Sequence, residues 1–148
     1  MGLLLKQAID SLSLLLAELS PRLNPGEYVY ATVADTAVLP VGAVVASIRE
    51  AEGLSVVLAV DQAQALGLAD GARFAWITLT VHSDLQAVGL TAAFATALGR
   101  EGISCNVVAG HLHDHIFVPV AQGAAAMAAL HALQSGAQAA RGDPDLTR

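Results

Sequence analysis

The sequence predicts an α+β fold in which helices cover antiparallel strands, because strand and helix patterns follow one another in a characteristic order in its second half. Ile77–Val81 alternates and is β-branched, which favours a strand. Leu85–Leu98 carries large apolar residues three and four positions apart, which predicts a helix. Two apolar strands follow, Ile103–Gly110 and Ile116–Val120, with a segment between them short enough for a hairpin turn. Gln122–Leu133 supplies a second helix, so the order is βαββα, as in ferredoxin-like units.

The ends of the first of these helices have recognisable signals. His82 interrupts the strand pattern, and Ser83 or Asp84 is a suitable N-cap. Gly102 fits the C′ position, where a positive φ angle costs glycine nothing. We therefore expect residues 87–90 to lie in the first helical turns.

The first half of the chain also predicts strands and helices, but in a different order. Leu3–Leu19 has helical spacing, and Ser20-Pro21 ends it because a residue before proline leaves the α region. The predicted strands and short helix are Glu27–Ala34, Ala43–Arg49, Leu54–Val60 and Asp61–Leu66. The segment from Asp35 to Gly42 is too short for a crossover helix. We interpret the chain as an internal duplication with rearranged connectivity, forming two sheets or one continuous sheet.

This interpretation divides the chain into three parts. Residues 1–71 form the first half, residues 72–134 form the second, and the small polar tail of residues 135–148 is predicted to be disordered. We expect the two halves to pair within one chain.

Composition excludes several classes of function. The net charge is −6 and the pI is about 5.1, which argues against binding to nucleic acid or to anionic lipid. The single cysteine, Cys105, fits a reducing cytoplasm, and no signal peptide is evident. The uncharged stretch Ile116–Ala140 is interpreted as a strand and a packed helix, not as a membrane span. No cofactor-binding motif is present.

Four segments resemble a known family. They are NPGEYVYATV, EAEGLSVVLA, WITLTVHSDLQAVGLTAAFATALGREGISCNVVAG and HDHIFVPV, which cover roughly Leu23–Val120. The second half resembles the ACT domain, and the whole chain resembles bacterial stand-alone proteins with two ACT-like domains. The run from GL through EGIS to DHIFVP is similar to the ligand-binding ACT repeat of animal cytosolic arginine sensors. The resemblance implies a tandem ferredoxin-like ACT fold and a non-catalytic regulatory protein that binds an amino acid.

The resemblance also implies a ligand site. Carried over residue by residue, the arginine-sensor site falls on Asp84, Ala87, Gly89, Leu90, Gly110, His111, His113 and Asp114. Backbone N–H groups at a helix start suit a carboxylate, and Asp114 suits an ammonium or guanidinium group. Gly89 and Gly110 would permit close approach, although both can equally serve packing. The sensors have an acidic residue where this chain has Ala87, so the resemblance favours amino acids in general over arginine.

The sequence also suggests three other interpretations: a metal site, a catalytic site and a partner-binding protein. His111, His113 and His115 would share one face of an extended segment and could bind zinc, copper or nickel, but the expected turn separates them, so we predict no metal. An enzyme could use the HLHDH segment of residues 111–115 to hold a general base or a metal. The consecutive residues His82-Ser83-Asp84 cannot form a catalytic relay. The main alternative is a structural or partner-binding protein without a ligand, which can form a homodimer through exposed sheet edges.

Overall fold

One antiparallel sheet of seven strands runs through both halves of the chain. The computed structural model describes residues 12–34, 37–81 and 86–142. The strands are β1 (Pro21–Leu23), β2 (Tyr28–Val33), β3 (Val44–Glu50), β4 (Gly53–Ala59), β5 (Phe74–Leu79), β6 (Asn106–Ala109) and β7 (Asp114–Pro119). The helices are α1 (residues 12–17 of the described chain), α2 (Val60–Ala65), α3 (Leu90–Arg100) and α4 (Gly123–Gly142), and a short 3-10 helix spans Val120–Gln122.

Strand β5 joins the two halves. The sheet order is β3-β4-β2-β5-β7-β6, and β1 also pairs with β5. Pro21 lies opposite Leu79, and Tyr28 lies opposite Phe74. The expectation of intrachain pairing is therefore confirmed, and the sheet is continuous. The predicted α+β class with antiparallel strands and covering helices is also confirmed.

The main core lies between the sheet and helices α1, α3 and α4. Ile77 and Ile116 of the sheet and Phe94 and Leu130 of the helices are each fully buried there. Alternate residues of a strand point to one face, so the period-two pattern of β5 and β7 places their aliphatic residues on this side. Burial of such side chains contributes about 1.5–3 kcal/mol each, which fixes the helices on the sheet.

The opposite face of the sheet carries the aromatic residues. Tyr28 and Phe117 are buried, and Trp76, Val57 and Val108 pack with them. These residues come from strands of both halves, so this second cluster also holds the halves together. Helix α2 covers a third, smaller cluster around Val29, Val56 and Leu58 in the first half.

Helix α3 begins later than predicted. It starts at Leu90, and Gly89 occupies the N-cap position with a φ angle of 102°. That left-handed conformation ends any helical run from residue 85, since only glycine adopts it without strain. Val88, an apolar residue within the predicted helix Leu85–Leu98, precedes α3 and is 85% exposed. The end of the helix is as predicted: Gly102 has a φ of 69°, and Ile103 N donates to Leu98 O at 3.0 Å.

Three other predictions differ from the structure. The strand expected from Ile103 begins only at Asn106, because Ile103 folds back onto the end of α3. Strand β1 begins at Pro21, which was expected only to end a helix. The tail is not disordered from residue 135 but helical as far as Gly142, because alanine favours helix and Gln138 donates to Ala17 O at 3.0 Å. Residues 143–148 lie outside the described part of the chain.

Within the described residues, no helix is long and apolar enough to cross a bilayer. This includes the alanine-rich helix α4.

Candidate functional site

The β6–β7 hairpin closes through a tight turn at His111 and Leu112. Gly110 N donates to His113 O at 2.9 Å. A Cβ atom at residue 110 would lie 2.8 Å from that same carbonyl oxygen. Real Cβ atoms do not approach a carbonyl so closely, so the hairpin itself requires glycine here. The close approach of His113 O is therefore sufficient to explain why residue 110 is a glycine.

The hairpin lies beside the point where the chain leaves β5. Asp114 pairs with Leu79, the last residue of β5. The His113 Nδ1 atom is 3.4 Å from Val81 O. The chain then continues into the segment that leads to α3. The strand pairing thus brings His113 and Asp114 of the hairpin next to Leu79 and Val81, where the chain leaves β5. Asp84 lies outside the described residues.

The residues before α3 differ in their surroundings. Ala87 is exposed and precedes the helix, so its N–H group is not in a helical turn as expected. A Cβ atom at Gly89 would lie 2.9 Å from Leu12 Cδ2 of helix α1. Leu90 is 2% exposed and belongs to the main core. The close approach at Gly89 is therefore made by α1, and Leu90 packs against protein.

Asp114 is a half-buried carboxylate. Burial raises the pKa of Asp114 above its ordinary value of 3.8, and the neighbouring charge of His115 opposes this in part. Burial also lowers the pKa of the His115 imidazole, with a further contribution from His113 and an opposing one from Asp114. A carboxylate whose charge is poorly solvated gains from a cationic partner.

The three histidines of the hairpin have different environments. His111 is exposed, His113 is directed to Val81 O, and His115 lies on the aromatic face of the sheet. Among the described residues, no group of three or more His, Cys, Asp and Glu side chains could hold a metal ion.

A polar network on the aromatic face was missed by sequence reasoning. Asn24 Nδ2 donates to Thr78 Oγ1 at 2.9 Å, and Trp76 Nε1 donates to His115 Nδ1 at 3.0 Å. Thr78 Oγ1 is 3.2 Å from the same His115 nitrogen. The period-two pattern places Trp76 with Thr78 and His115 with Phe117, but only the strand register brings the pairs together.

This network borders a cavity. The cavity has a volume of about 260 Å³ and lies between β3 and the strands β5, β6 and β7. Its lining residues are Val45, Ala46, Ser47, Trp76, Val108, Gly110, His115 and Phe117. Residues of β3 and β6, the two ends of the sheet order, both line this cavity, so the sheet curls around it.

Both halves of the chain match models of one protein family. One model of the ACT domain matches residues 7–75, and a second matches residues 72–132. The chain therefore belongs to the ACT-domain family and contains two ACT domains in tandem.

The fold is also similar to that of solved structures. The chain is similar to a Vibrio cholerae protein of unknown function, described as a possible transport protein, with 47% identity, a TM-score of 0.74, and coverage of 86% of this chain and 98% of that chain. It is also similar to aspartokinase alpha and beta subunits, with 12% identity, a TM-score of 0.56, and coverage of 76% of this chain and 95% of that chain.

The regulatory subunit of aspartate kinase from Thermus flavus has 13% identity, a TM-score of 0.55, and coverage of 76% of this chain and 95% of that chain. At these two low identities the likeness shows the fold alone. No curated protein matches the chain significantly.

Proposed function

We propose that this protein is a non-catalytic regulatory protein that binds an amino acid between the start of α3 and the Gly110–Asp114 hairpin. The observation that carries the proposal is the half-buried carboxylate of Asp114, which pairs with Leu79 at the end of β5. ACT domains as a class are regulatory modules that commonly bind amino acids, and this chain has two of them.

The start of α3 is suited to the ligand's carboxylate. The first intrahelical bond runs from Ala93 N to Gly89 O at 3.0 Å, so the N–H groups of residues 90–92 have no acceptor within the helix. The positive end of the helix dipole adds to this. Since Leu12 covers Gly89, the proposal uses the N–H groups that follow Gly89 and not a direct contact with it.

Asp114 is suited to the ligand's cationic group. The raised pKa of Asp114 indicates that burial destabilises the charged carboxylate. An ammonium group of the ligand would offset that cost. An amino-acid zwitterion can bridge the two elements because its opposite charges match them. His111 and His113 of the same hairpin would border the ligand.

The proposal extends to location and assembly. The single cysteine and acidic composition are typical of a cytoplasmic protein. Strands β3 and β6 end the sheet within the described residues, and such edges suit pairing with a second copy in a homodimer.

A thermal-shift screen of the common amino acids tests the proposal, followed by calorimetry on any that stabilise the protein. A ligand at one hundred times its Kd adds about 2.7 kcal/mol to the free energy of unfolding. We expect Asp114→Asn to abolish the shift. Asp70→Asn is the matched control, because Asp70 is an exposed carboxylate in the other half.

Two results would contradict the proposal. One is that no amino acid raises the melting temperature, which would favour the partner-binding alternative. The other is that the ligand binds equally well to wild type and to Asp114→Asn, which would place the site elsewhere.

A further inference from the structure

We propose that a cleft in the first ACT domain is a second binding site, selective for a small organic cation that carries a primary ammonium group. The cleft has a volume of about 580 Å³, which is within the range of small-molecule sites. All its lining residues lie between Pro25 and Arg73, within the part of the chain that the first ACT model matches. The cleft is therefore separate from the amino-acid site proposed at α3 and the β6–β7 hairpin.

Three segments of the chain form the cleft. The turn before β2 supplies Pro25 and Glu27, the start of α2 supplies Val60 and Asp61, and Arg73 directly precedes β5. A backbone hydrogen bond of 2.9 Å from Val60 N to Glu27 O holds the turn against the start of α2. Arg73 Nη1 donates to Glu27 Oε2 at 2.9 Å and ties the third segment to the first. The walls of the cleft are thus bonded to one another.

The hydroxyl of Tyr28 presents a hydrogen-bond acceptor to the cleft. Tyr28 is 7% exposed, and its ring packs edge-on against Trp76 with centroids 5.4 Å apart. The hydroxyl donates to Pro25 O at 2.8 Å. That bond uses the single hydrogen of the hydroxyl, so the oxygen can only accept a further bond. A ligand atom that bonds to Tyr28 must therefore be a donor.

Asp61 carries the unbalanced charge of the cleft. Glu27 and Arg73 neutralise each other, so Asp61 holds the remaining formal charge among the described lining residues. Gln62 N donates to Asp61 Oδ1 at 2.9 Å, which leaves the second carboxylate oxygen for a ligand. Burial, and after it the negative charge of Asp61, raise the pKa of Tyr28, so the field of this carboxylate reaches the Tyr28 hydroxyl.

These two acceptors match an ammonium group. A primary ammonium has three donors on one nitrogen, so it can bond to the Asp61 carboxylate and to the Tyr28 oxygen together. Bonds between charged groups are the stronger kind. An anionic ligand would be repelled by Asp61 and would find no donor at Tyr28. Pro25 and Val60 offer apolar surface to a short aliphatic chain.

Butylammonium is the probe, because it combines a primary ammonium group with a short aliphatic chain. 1-Butanol has the same chain without the charge, and tetramethylammonium has the charge without N–H donors. Titrations of the isotope-labelled protein at pH 7 and constant ionic strength should give saturable amide shifts at Glu27, Tyr28 and Asp61. We expect both comparison compounds to bind at least about tenfold more weakly, which corresponds to about 1.4 kcal/mol.

Variants separate binding in the cleft from attraction to an acidic surface. Asp61→Asn should weaken butylammonium binding by about tenfold or more, and its amide oxygen can still accept from Gln62 N. Asp70→Asn removes the same charge at an exposed residue outside the cleft, and affinity should stay the same. Asp114→Asn should also leave butylammonium binding unchanged, so this result does not depend on the amino-acid site.

The proposal is overturned if the amide shifts do not saturate, if tetramethylammonium binds as tightly as butylammonium, or if Asp61→Asn folds and binds as wild type does. A measurement on wild type covers the case in which Asp61→Asn does not fold. The methylene protons of bound butylammonium should show nuclear Overhauser effects to the methyl groups of Val60, and their absence would equally overturn the proposal.

Discussion

Trp76 and His115 are joined by a hydrogen bond of 3.0 Å from the indole Nε1 to the imidazole Nδ1, across the paired strands β5 and β7. The bond lies on the face of the sheet where the two ACT domains meet. It fixes the tautomer of His115, since a nitrogen that accepts cannot carry the proton. A protonated Nδ1 could not accept this bond, so the bond favours the neutral imidazole.

The pKa of His115 should lie below its ordinary value of 6.5, and Trp76→Phe should raise it. Burial is the main cause of the low pKa. The indole donor adds to this, because it bonds only to the neutral form. Titration of the His115 imidazole signals by NMR, in wild type and in Trp76→Phe, checks this. An unchanged His115 midpoint in Trp76→Phe would contradict the assigned hydrogen bond.

The same shift predicts how stability depends on pH. The lowered pKa of His115 means that folding favours the neutral imidazole. The contribution of His115 to the free energy of unfolding is therefore fully present above pH 6.5. That contribution is lost as the pH falls through 6.5 towards the folded-state pKa. The free energy of unfolding of His115→Gln should therefore fall less than that of wild type over this interval, as measured by urea unfolding at several pH values. Equal pH slopes for the two proteins would contradict the lowered pKa.

Asp114→Asn should raise the melting temperature of the ligand-free protein at pH 7. The raised pKa of Asp114 means that its stabilising contribution is full below 3.8, where the carboxyl is protonated, and is lost as the pH rises through the folded-state value. Asparagine stays neutral throughout, so the difference should shrink as the pH falls to about 4. Asp70→Asn serves as the control for charge removal alone. A lower melting temperature for Asp114→Asn at pH 7 would show that Asp114 already has a stabilising partner.

Gly89→Ala should destabilise the protein by about 1–3 kcal/mol, because residue 89 has a left-handed conformation. The added Cβ would also meet Leu12 Cδ2 at 2.9 Å. Gly99→Ala is the matched control within the same helix, where nothing lies within 4 Å of the new atom. There alanine should stabilise by about 0.5–1 kcal/mol. Urea unfolding of both variants checks the pair, and equal effects would contradict the packing of α1 on Gly89.

Asn24→Ala should cost about 1–3 kcal/mol, because Asn24 and Thr78 are both buried and the change removes their bond. It also removes the bond from Asn24 Nδ2 to Trp76 O, of 3.2 Å. Asn106→Ala is the control, since Asn106 is exposed and makes a comparable bond to Phe117 O at 3.1 Å. Thermal or urea unfolding should give a clearly smaller loss for Asn106→Ala; a loss as large as that of Asn24→Ala would contradict the special role of the network.

The sequence was sufficient for the class of fold but not for every boundary. Strand β7 and helix α4 follow directly from alternation and helical spacing, because burial on one face produces both patterns. The predicted start of α3 was wrong, because the backbone conformation of Gly89 depends on the packing of helix α1 against Gly89. Strand β1 is only three residues long, and its existence depends on pairing with β5, a long-range contact that no local pattern records.

The candidate site was predictable only in part. The β6–β7 turn and its glycine are local features, and both are present. The burial of Leu90 and the bond between Trp76 and His115 depend on tertiary packing and strand register. The cavity depends on the curl of the whole sheet, which brings β3 close to β6. Sequence spacing contains no direct signal for such curvature.

An amino acid bound between α3 and the β6–β7 hairpin should change the amide chemical shifts of the isotope-labelled protein around that site. We expect the largest changes, on addition of a stabilising amino acid, at residues 87–92 and Gly110–Asp114, and we expect Asp114→Asn to remove them. Changes confined to the first ACT domain, or to the aromatic face around Trp76, would contradict this placement of the amino acid.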